Sequence, residues 1–298
     1  MTGKHTTDPV RAWRSLLFVP ANVERFVRKA AGLDVDIVIL DLEDSIAPDA
    51  KAAARQAATD AAAQLEAAGR TVFVRINQPL ELAVRDVETA LVPAVTGLVL
   101  PKVVGPGHVR LLSELVAKRE RAAGIAEGRT RFVGIIESCE GFAAMRDIAG
   151  ADPRMFALTL GTEDFTAALG AEPTPEVLVY PKQEMLIAAR GAGIVPLGTI
   201  GSVADYGDAE AFLEIVRRSR RFGFEGATCI HPSLVPVLNE GFTPDKSEIE
   251  QARRIVSAYE EAQRDGVGAI AVDGRMVDVP IVTRARDVLR RSGLAGTA

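Results

Sequence analysis

Glu137 and Asp164 are the two residues on which the chemistry of this chain turns. Each stands just past a short apolar, β-branched run. Arg131-Phe-Val-Gly-Ile-Ile136 leads into Glu137, and Met155-Phe-Ala-Leu-Thr-Leu160 into Gly161-Thr-Glu-Asp164. Such runs read as buried parallel strands, and the polar turn 138–141 and helical stretch 142–149 between them complete a strand–helix–strand unit. A right-handed crossover sets the strands side by side, about 5 Å apart. Two carboxylates then converge above one end of a sheet, and hard oxygen ligands with room for water and substrate oxygens suit Mg²⁺. Acidic residues after strands also cap helices, so the pair alone leaves both readings open.

The elements that must position this pair repeat along the chain. Strand-like runs fall at 14–19, 36–42, 71–76, 97–100, 131–136, 155–160, 194–197 and 226–230. Helical stretches separate them: 22–31, 48–68 (opened by Pro48, stopped by Gly69), 80–91, 107–123, 142–149, 176–192 and 208–222, with a loop over 164–175. Eight strand–helix alternations within about 240 residues have the size and order of a TIM (β/α)₈ barrel. The competitor, an open doubly wound sheet, would carry a glycine-rich nucleotide loop, and none follows the first run. The barrel is expected over 12–242. The remainder, 243–298, holds a charged helix (246–264), a glycine-bearing segment (266–274), a short stretch (276–280) and a last helix (281–291). It exceeds what barrel closure needs, and is expected as a C-terminal helical lid over an active-site mouth or against a neighbouring subunit.

Barrel enzymes carry their chemistry at the carboxyl ends of the strands. Those positions offer Asp41, Glu43 and Asp44, then Arg75, Lys102, Glu137 with Glu140, Glu163 with Asp164, and His231. Acids and bases from separate strands around one mouth suit metal-assisted work on an anionic substrate. Arg75, in an otherwise apolar strand, needs a carboxylate: it is either a structural ion pair with Glu43 or a clamp for a substrate carboxylate. Glu43 is read as ordering the arginine or a metal-bound water. Lys102 stands between a structural ion pair and a site residue. His231, before Pro232 and without a second histidine nearby, reads as a helix-start device. Cys139 lacks a histidine partner and reads as a small packed residue.

Bulk composition narrows the class. A 298-residue chain that is 48% hydrophobic and 25% charged is globular in character, and a net charge of −5 gives no field for nucleic acid or a membrane surface. Arg217-Arg-Ser-Arg-Arg221 is the one basic run and lies on an amphipathic helix, a solvated face. No apolar run nears the roughly 18 residues of a membrane span, and residues 1–11 lack a signal-peptide core. Cys139 and Cys229 form neither a disulfide framework nor a zinc pattern, so a reduced, cytoplasmic protein is expected.

Seven strings together resemble one family. They are Arg14-Ser-Leu-Leu-Phe-Val-Pro20, Asp41-Leu-Glu-Asp44, Val74-Arg-Ile-Asn77, Leu100-Pro-Lys102, Ile136-Glu-Ser-Cys-Glu-Gly141, Leu160-Gly-Thr-Glu-Asp164 and Ile230-His-Pro232. In this order they resemble the citrate lyase beta-subunit-like proteins of the HpcH/HpaI aldolase superfamily, alongside malyl-CoA and citramalyl-CoA lyases. The resemblance runs from Arg14 to about Leu289. It implies a TIM barrel with Mg²⁺ on Glu137 and Asp164, and Arg75 on a substrate carboxylate or carbonyl oxygen. It implies a homo-oligomer (trimer or hexamer) in which an aspartate of the C-terminal module serves the neighbouring subunit's site as acid/base. The string Val272-Asp-Gly-Arg-Met-Val-Asp-Val-Pro280 points to Asp278, which the residues alone would make a turn residue before Pro280. Lys51 and Arg55 match a Lys…Ala-Arg pattern that steadies either the CoA phosphates or the helix. One departure stands out: relatives carry an aspartate after the seventh strand, whereas Pro196-Leu-Gly-Thr-Ile-Gly-Ser202 has no acid before Asp205.

The activity implied is Mg²⁺-dependent cleavage of a 3-hydroxy-dicarboxylyl-CoA thioester to an acyl-CoA and a 2-oxo acid. Two alternatives remain open: a class II aldolase on free 2-oxo acids, and a non-catalytic subunit that depends on an acyl-carrier partner.

Overall fold

In the computed structural model, which describes residues 13–201, 208–264, 266 and 268–292, the β-branched runs form strands because both of their faces are covered. β1 (Ser15–Pro20), α1 (Glu24–Ala31), β2 (Ile37–Asp41), α2 (Lys51–Ala67), β3 (Thr71–Arg75), α3 (Leu80–Ala90), β4 (Val95–Leu100) and α4 (Pro106–Ala122) make the first half. β5 (Arg131–Ile136), α5 (Cys139–Ala143), α6 (Met145–Ala149), β6 (Met155–Leu160), α7 (Thr162–Leu169), α8 (Pro175–Ala192) and β7 (Val195–Leu197) follow. α9 (Ala209–Phe222), β8 (Ala227–Cys229) and α10 (Leu234–Phe242) complete the run.

The eight strands are parallel, in the order β7-β6-β5-β4-β3-β2-β1-β8. β8 pairs back onto β1 through Leu16 and Thr228. The last seam is narrow: a single bridge, Leu197 to Gly226, with Gly198 N donating to Gly226 O at 2.8 Å. Gly226 is needed there, since a Cβ would stand 1.9 Å from the Trp13 carbonyl oxygen. This is the TIM barrel expected from the strand count.

Alternate residues of each strand point inward, and Leu16, Ile39, Phe73, Val99, Val133 and Ala157 fill the barrel. Each large apolar side chain so buried stabilises the fold by about 1.5–3 kcal/mol. Trp13, just before β1, packs edge-on to Phe73 and against Phe156 at the amino-terminal end. With that end plugged, the opposite end is left for chemistry.

At the strand starts an ion pair ties α4 to the barrel. Arg154 donates from Nη1 and Nη2 to Glu120 at 2.8 and 2.7 Å, and Glu120 also accepts from the amides of Gly128 and Thr130. Burial alone would push the Glu120 carboxyl up, but the Arg154 fork and these amides outweigh it and hold it at about 2, below its usual 4.5. The pair therefore stabilises the fold fully above pH 4.5, and that stability is lost as pH falls toward 2. Arg154→Met is expected to cost about 3–5 kcal/mol in denaturant unfolding at pH 7, because Glu120 is left charged and buried. The gap to wild type should shrink as the carboxyl is protonated.

Several elements differ from the sequence expectation. The stretch 164–175 is not all loop: α7 occupies its first half, closed by Gly170 in the left-handed conformation. Its polar Thr-Glu-Asp opening hid a helix start whose acids suit the amino-terminal end of the helix dipole. The expected helix at 142–149 is two short helices, α5 and α6. Residues 48–50 form a 3-10 turn rather than the first turn of α2. α10, with Pro236 inside it, was not foreseen. The tail at 1–11 and Asp205 lie outside the described residues.

The chain divides into two compact units, Trp13–Glu240 and one that begins at Gly241. In the second, α11 (Lys246–Arg264) packs against α12 (Val279–Arg291) around Val256, Tyr259, Val277 and Val282. The expected glycine-bearing segment is an antiparallel hairpin, β9 (Ile270–Val272) and β10 (Arg275–Val277), turned by Asp273-Gly274, both at positive φ. Among the described residues no helix is long and apolar enough to cross a membrane.

Candidate active site

The carboxyl ends of β2 to β6 hold a continuous chain of charges. Parallel register sets Asp41 of β2 beside Arg75 of β3, both in phase with the inward-facing residues of their strands. Arg75 donates from Nε and Nη2 to the two Asp41 oxygens at 2.7 and 2.8 Å, a bidentate fork. Its Nη1 lies 2.9 Å from Glu43 Oε2, and the guanidinium sits over the Phe18 ring at 4.7 Å. The other Glu43 oxygen accepts from Lys102 Nζ at 2.6 Å. Glu43 thus joins the arginine of β3 to the lysine that follows β4.

Lys102 also joins this group to Glu137. Its φ of 48° is unusual for a residue with a side chain and turns its amide inward. The Lys102 N–H donates to Glu137 Oε2 at 2.6 Å, and Oε1 accepts no hydrogen bond among the described residues. On the far side Gly161 makes room: a Cβ there would lie 2.5 Å from Glu137 Cγ and 2.8 Å from Oε1. Gly161→Ala should therefore leave the barrel folded but tilt the carboxylate. A misplacement of that size is expected to cost on the order of 10²-fold in kcat, with circular dichroism melts near those of wild type.

Burial pushes the Glu137 carboxyl up to about 7, and the charges of Glu43 and Asp164 add to it against the Lys102 amide and ammonium. Glu43 is also raised, first by burial, although Lys102 and Arg75 oppose this. For Asp41, burial is outweighed by the Arg75 fork, the Ser45 side chain and the Glu43 amide, so its carboxyl is held low. The cations respond in kind: despite burial, Arg75 and Lys102 are both raised by the carboxylates around them.

Among the described residues, the cations that Asp41, Glu43, Asp44, Glu137 and Asp164 face are Arg75, Lys102 and Lys51, so the cluster carries surplus negative charge. That surplus, with an open Glu137 oxygen, fits a divalent cation. Among the described residues no three of His, Cys, Asp and Glu gather into a cage, so Glu137 and Asp164 would leave most of the coordination sphere to water and substrate. Asp164 lies exposed in the first turn of α7. It stands at a helix start without making a side-chain cap hydrogen bond, and its charge helps to raise the Glu137 carboxyl.

The remaining expected residues fall elsewhere. Lys51 donates from Nζ to the carbonyls of Leu42 and Glu43 at 2.8 and 2.6 Å, and so clamps the loop that presents Glu43. Arg55, expected at CoA phosphates or on the helix, is buried, with Nε 2.6 Å from Asp86 Oδ1. This pair ties α2 to α3 and holds Arg55 in the interior, with its Nη2 lacking a hydrogen-bond partner among the described residues. Asp278 caps α12 by accepting from Ile281 N and is half-buried within the second unit. His231 is exposed and its Nδ1 meets Ser233 Oγ at 2.6 Å, while Cys139 is exposed rather than packed.

Sequence reasoning gave Arg75 to Glu43 and passed over Asp41, its bidentate partner, although Asp41 keeps the two-residue phase of Ile37 and Ile39. It also passed over Asn77, whose side chain bridges the Leu42 carbonyl and Asp86 at 2.9 and 2.7 Å.

A TIM barrel with this acid–arginine–lysine array at its carboxyl end is equipped for metal-assisted chemistry on an anionic substrate. Comparison with known proteins agrees. Residues 14–232 match the HpcH/HpaI aldolase/citrate lyase family, and the chain belongs to that family. It is 33% identical to the citrate lyase subunit beta of Escherichia coli (strain K12), over 96% of this chain and 95% of that protein. It is 34% identical to an L-malyl-CoA/beta-methylmalyl-CoA lyase of Cereibacter sphaeroides (strain ATCC 17025 / ATH 2.4.3), over 95% of this chain and 96% of that one. Among solved structures, CitE from Mycobacterium tuberculosis in complex with magnesium, acetoacetate and coenzyme A superposes with a TM-score of 0.72. That protein is 31% identical, and the match covers 94% of this chain and 97% of the other.

Proposed function

We propose that this protein is a Mg²⁺-dependent lyase that cleaves a 3-hydroxy-dicarboxylyl-CoA thioester, of the malyl-, citramalyl- or citryl-CoA type, into an acyl-CoA and a 2-oxo acid. The observation that carries this reading is the unbroken array Asp41–Arg75–Glu43–Lys102–Glu137, which ends on a carboxylate with one free oxygen. The relatives support it: two are named for citrate and malyl-CoA cleavage, and one was solved with magnesium and coenzyme A.

Glu137 and Asp164 would hold the Mg²⁺, which supplies Lewis-acid polarisation of the oxygen that becomes the ketone. Four of the five Arg75 N–H groups point at carboxylates: Nε and one Nη2 hydrogen at Asp41, and the Nη1 pair at Glu43 and Asp44. One Nη2 hydrogen remains for a substrate carboxylate or carbonyl oxygen, and the fork to Asp41 holds it in place before substrate arrives. Cleavage takes a proton from the 3-hydroxyl, breaks the C–C bond and leaves a thioester enolate that must be protonated. In this reading Asp278 of a neighbouring subunit moves that proton, which makes the active form a homo-oligomer. Lys51 and Lys102 hold Glu43 in place and do not touch the reacting atoms.

The test is release of 2-oxo acid from malyl-, citramalyl- and citryl-CoA by the full chain with Mg²⁺. Release on at least one ester, abolished by EDTA, is the expected result. Mg²⁺ binding without release on any ester would overturn the assignment, and turnover of a free hydroxy-oxo acid instead would favour the aldolase.

A further inference from the structure

Beside the carboxylate cluster a pocket lies at the carboxyl ends of β6, β7 and β8. Thr159, Thr162, Thr199 and Thr228 line it together with Met185 and Leu197, and Lys182 reaches it from α8. Thr159 and Thr162 bracket Gly161, the residue against which Glu137 rests, so the pocket adjoins the proposed metal site on the same rim.

Lys182 is the unusual member. Only 4% of it is exposed, although it lies in a run, Pro-Lys-Gln-Glu, that reads as solvated surface. Its Nζ stands 3.4 Å from the carbonyls of Ile200 and Gly201, at the outer limit of a hydrogen bond. Among the described residues no carboxylate comes within ion-pair distance, and burial alone draws the ammonium down to about 8. A buried cation held by two long contacts is costly to the fold unless something else uses its charge. The hydroxyls of Thr159 and Thr228 in the same pocket have no hydrogen-bond partner among the described residues. One ammonium with free hydroxyl donors, among apolar side chains, matches a single carboxylate. A phosphate dianion would leave a charge unpaired.

We propose that Lys182 is a specificity-determining residue whose ammonium receives a second carboxylate on the 2-oxo acid half of the substrate, with the threonine hydroxyls completing the subsite. The inference rests on the lyase reading above and deepens it: the site discriminates between substrates whose oxo-acid half carries one carboxylate and those that carry two.

Pyruvate and oxaloacetate share the 2-oxo acid head and differ by that carboxylate. Calorimetric titration of the full chain with Mg²⁺ should show oxaloacetate bound at least tenfold more tightly than pyruvate. Lys182→Met should erase that ratio while pyruvate affinity stays within twofold, and Lys182→Arg should keep most of it. In turnover, Lys182→Met should raise KM for citryl-CoA tenfold or more with kcat within threefold, and leave citramalyl-CoA unaffected. Equal weakening of both oxo acids, or an unchanged ratio, would mean that Lys182 only braces the two carbonyls, and would overturn the proposal. If Lys182→Met does not fold, Thr228→Val carries the test: a ratio reduced severalfold supports the subsite and an unchanged one overturns it. The titration contains no CoA, so a chain that cleaves no ester yet discriminates the oxo acids keeps the subsite and loses the lyase reading. The converse result does the reverse.

Discussion

Glu137→Gln is expected to abolish Mg²⁺-dependent turnover, by roughly 10³-fold or more, while leaving the barrel intact. Glutamine keeps the side-chain length and an oxygen that can accept from the Lys102 amide, so the bond that orients the residue survives. What disappears is the charge. A single charged ligand contributes several kcal/mol to metal-assisted stabilisation of a developing oxyanion, and each 1.4 kcal/mol is about tenfold in rate. Mg²⁺ affinity, read by calorimetry, should fall in parallel. The metal-free variant should also melt at or above the wild-type temperature, because the substitution removes one carboxylate from a cluster with too many. A gain in stability beside a loss of function is the signature of a residue placed for chemistry. A variant that loses activity because it unfolds, or that retains both metal and rate, would remove Glu137 from the metal site.

The barrel was legible because a parallel sheet buries both faces of every strand, and each strand therefore appears as an uninterrupted β-branched run such as Ile37-Val-Ile-Leu40. The strand ends were legible for the same reason, since a charged residue closing such a run has only the barrel mouth to enter. Arg75, Lys102 and Glu137 were found in this way. The contacts that organise them were not, because they cross between strands. Asp41 meets Arg75 through register, a relation that no single run displays. Gly161 matters only because Glu137 arrives from the neighbouring strand. Lys182 was invisible for the opposite reason: its neighbours in sequence are polar, and only the chain after β7 shows that its side of α8 is covered. Arg55 stayed open between two readings because a basic residue on a helix after an acidic loop reads equally well as a phosphate ligand or a buried tie, and the Asp86 it meets lies 31 residues away.

Arg75 is where catalysis and stability are most tightly joined, and two substitutions separate them. Arg75→Lys keeps the positive charge but loses the planar fork, and one ammonium cannot hold both Asp41 oxygens, reach Glu43 and present a further donor to substrate. A loss of about 10²–10³-fold in kcat/KM is expected, the scale seen when one preorganised donor is removed from a developing oxyanion. Stability should fall only modestly, because Asp41 retains a cation. Arg75→Met differs. Asp41 is 1% exposed, and without a partner its charge is stranded, which should cost about 3–5 kcal/mol in denaturant unfolding. Adding Asp41→Asn to Arg75→Met should recover much of that stability and none of the activity, since the stranded charge is gone but the donor is still missing. With the single Asp41→Asn variant as the fourth corner, a double-mutant cycle gives the coupling energy directly. Full turnover in Arg75→Lys would show that the guanidinium serves the fold alone, and the site would then have to find its clamp in Lys102.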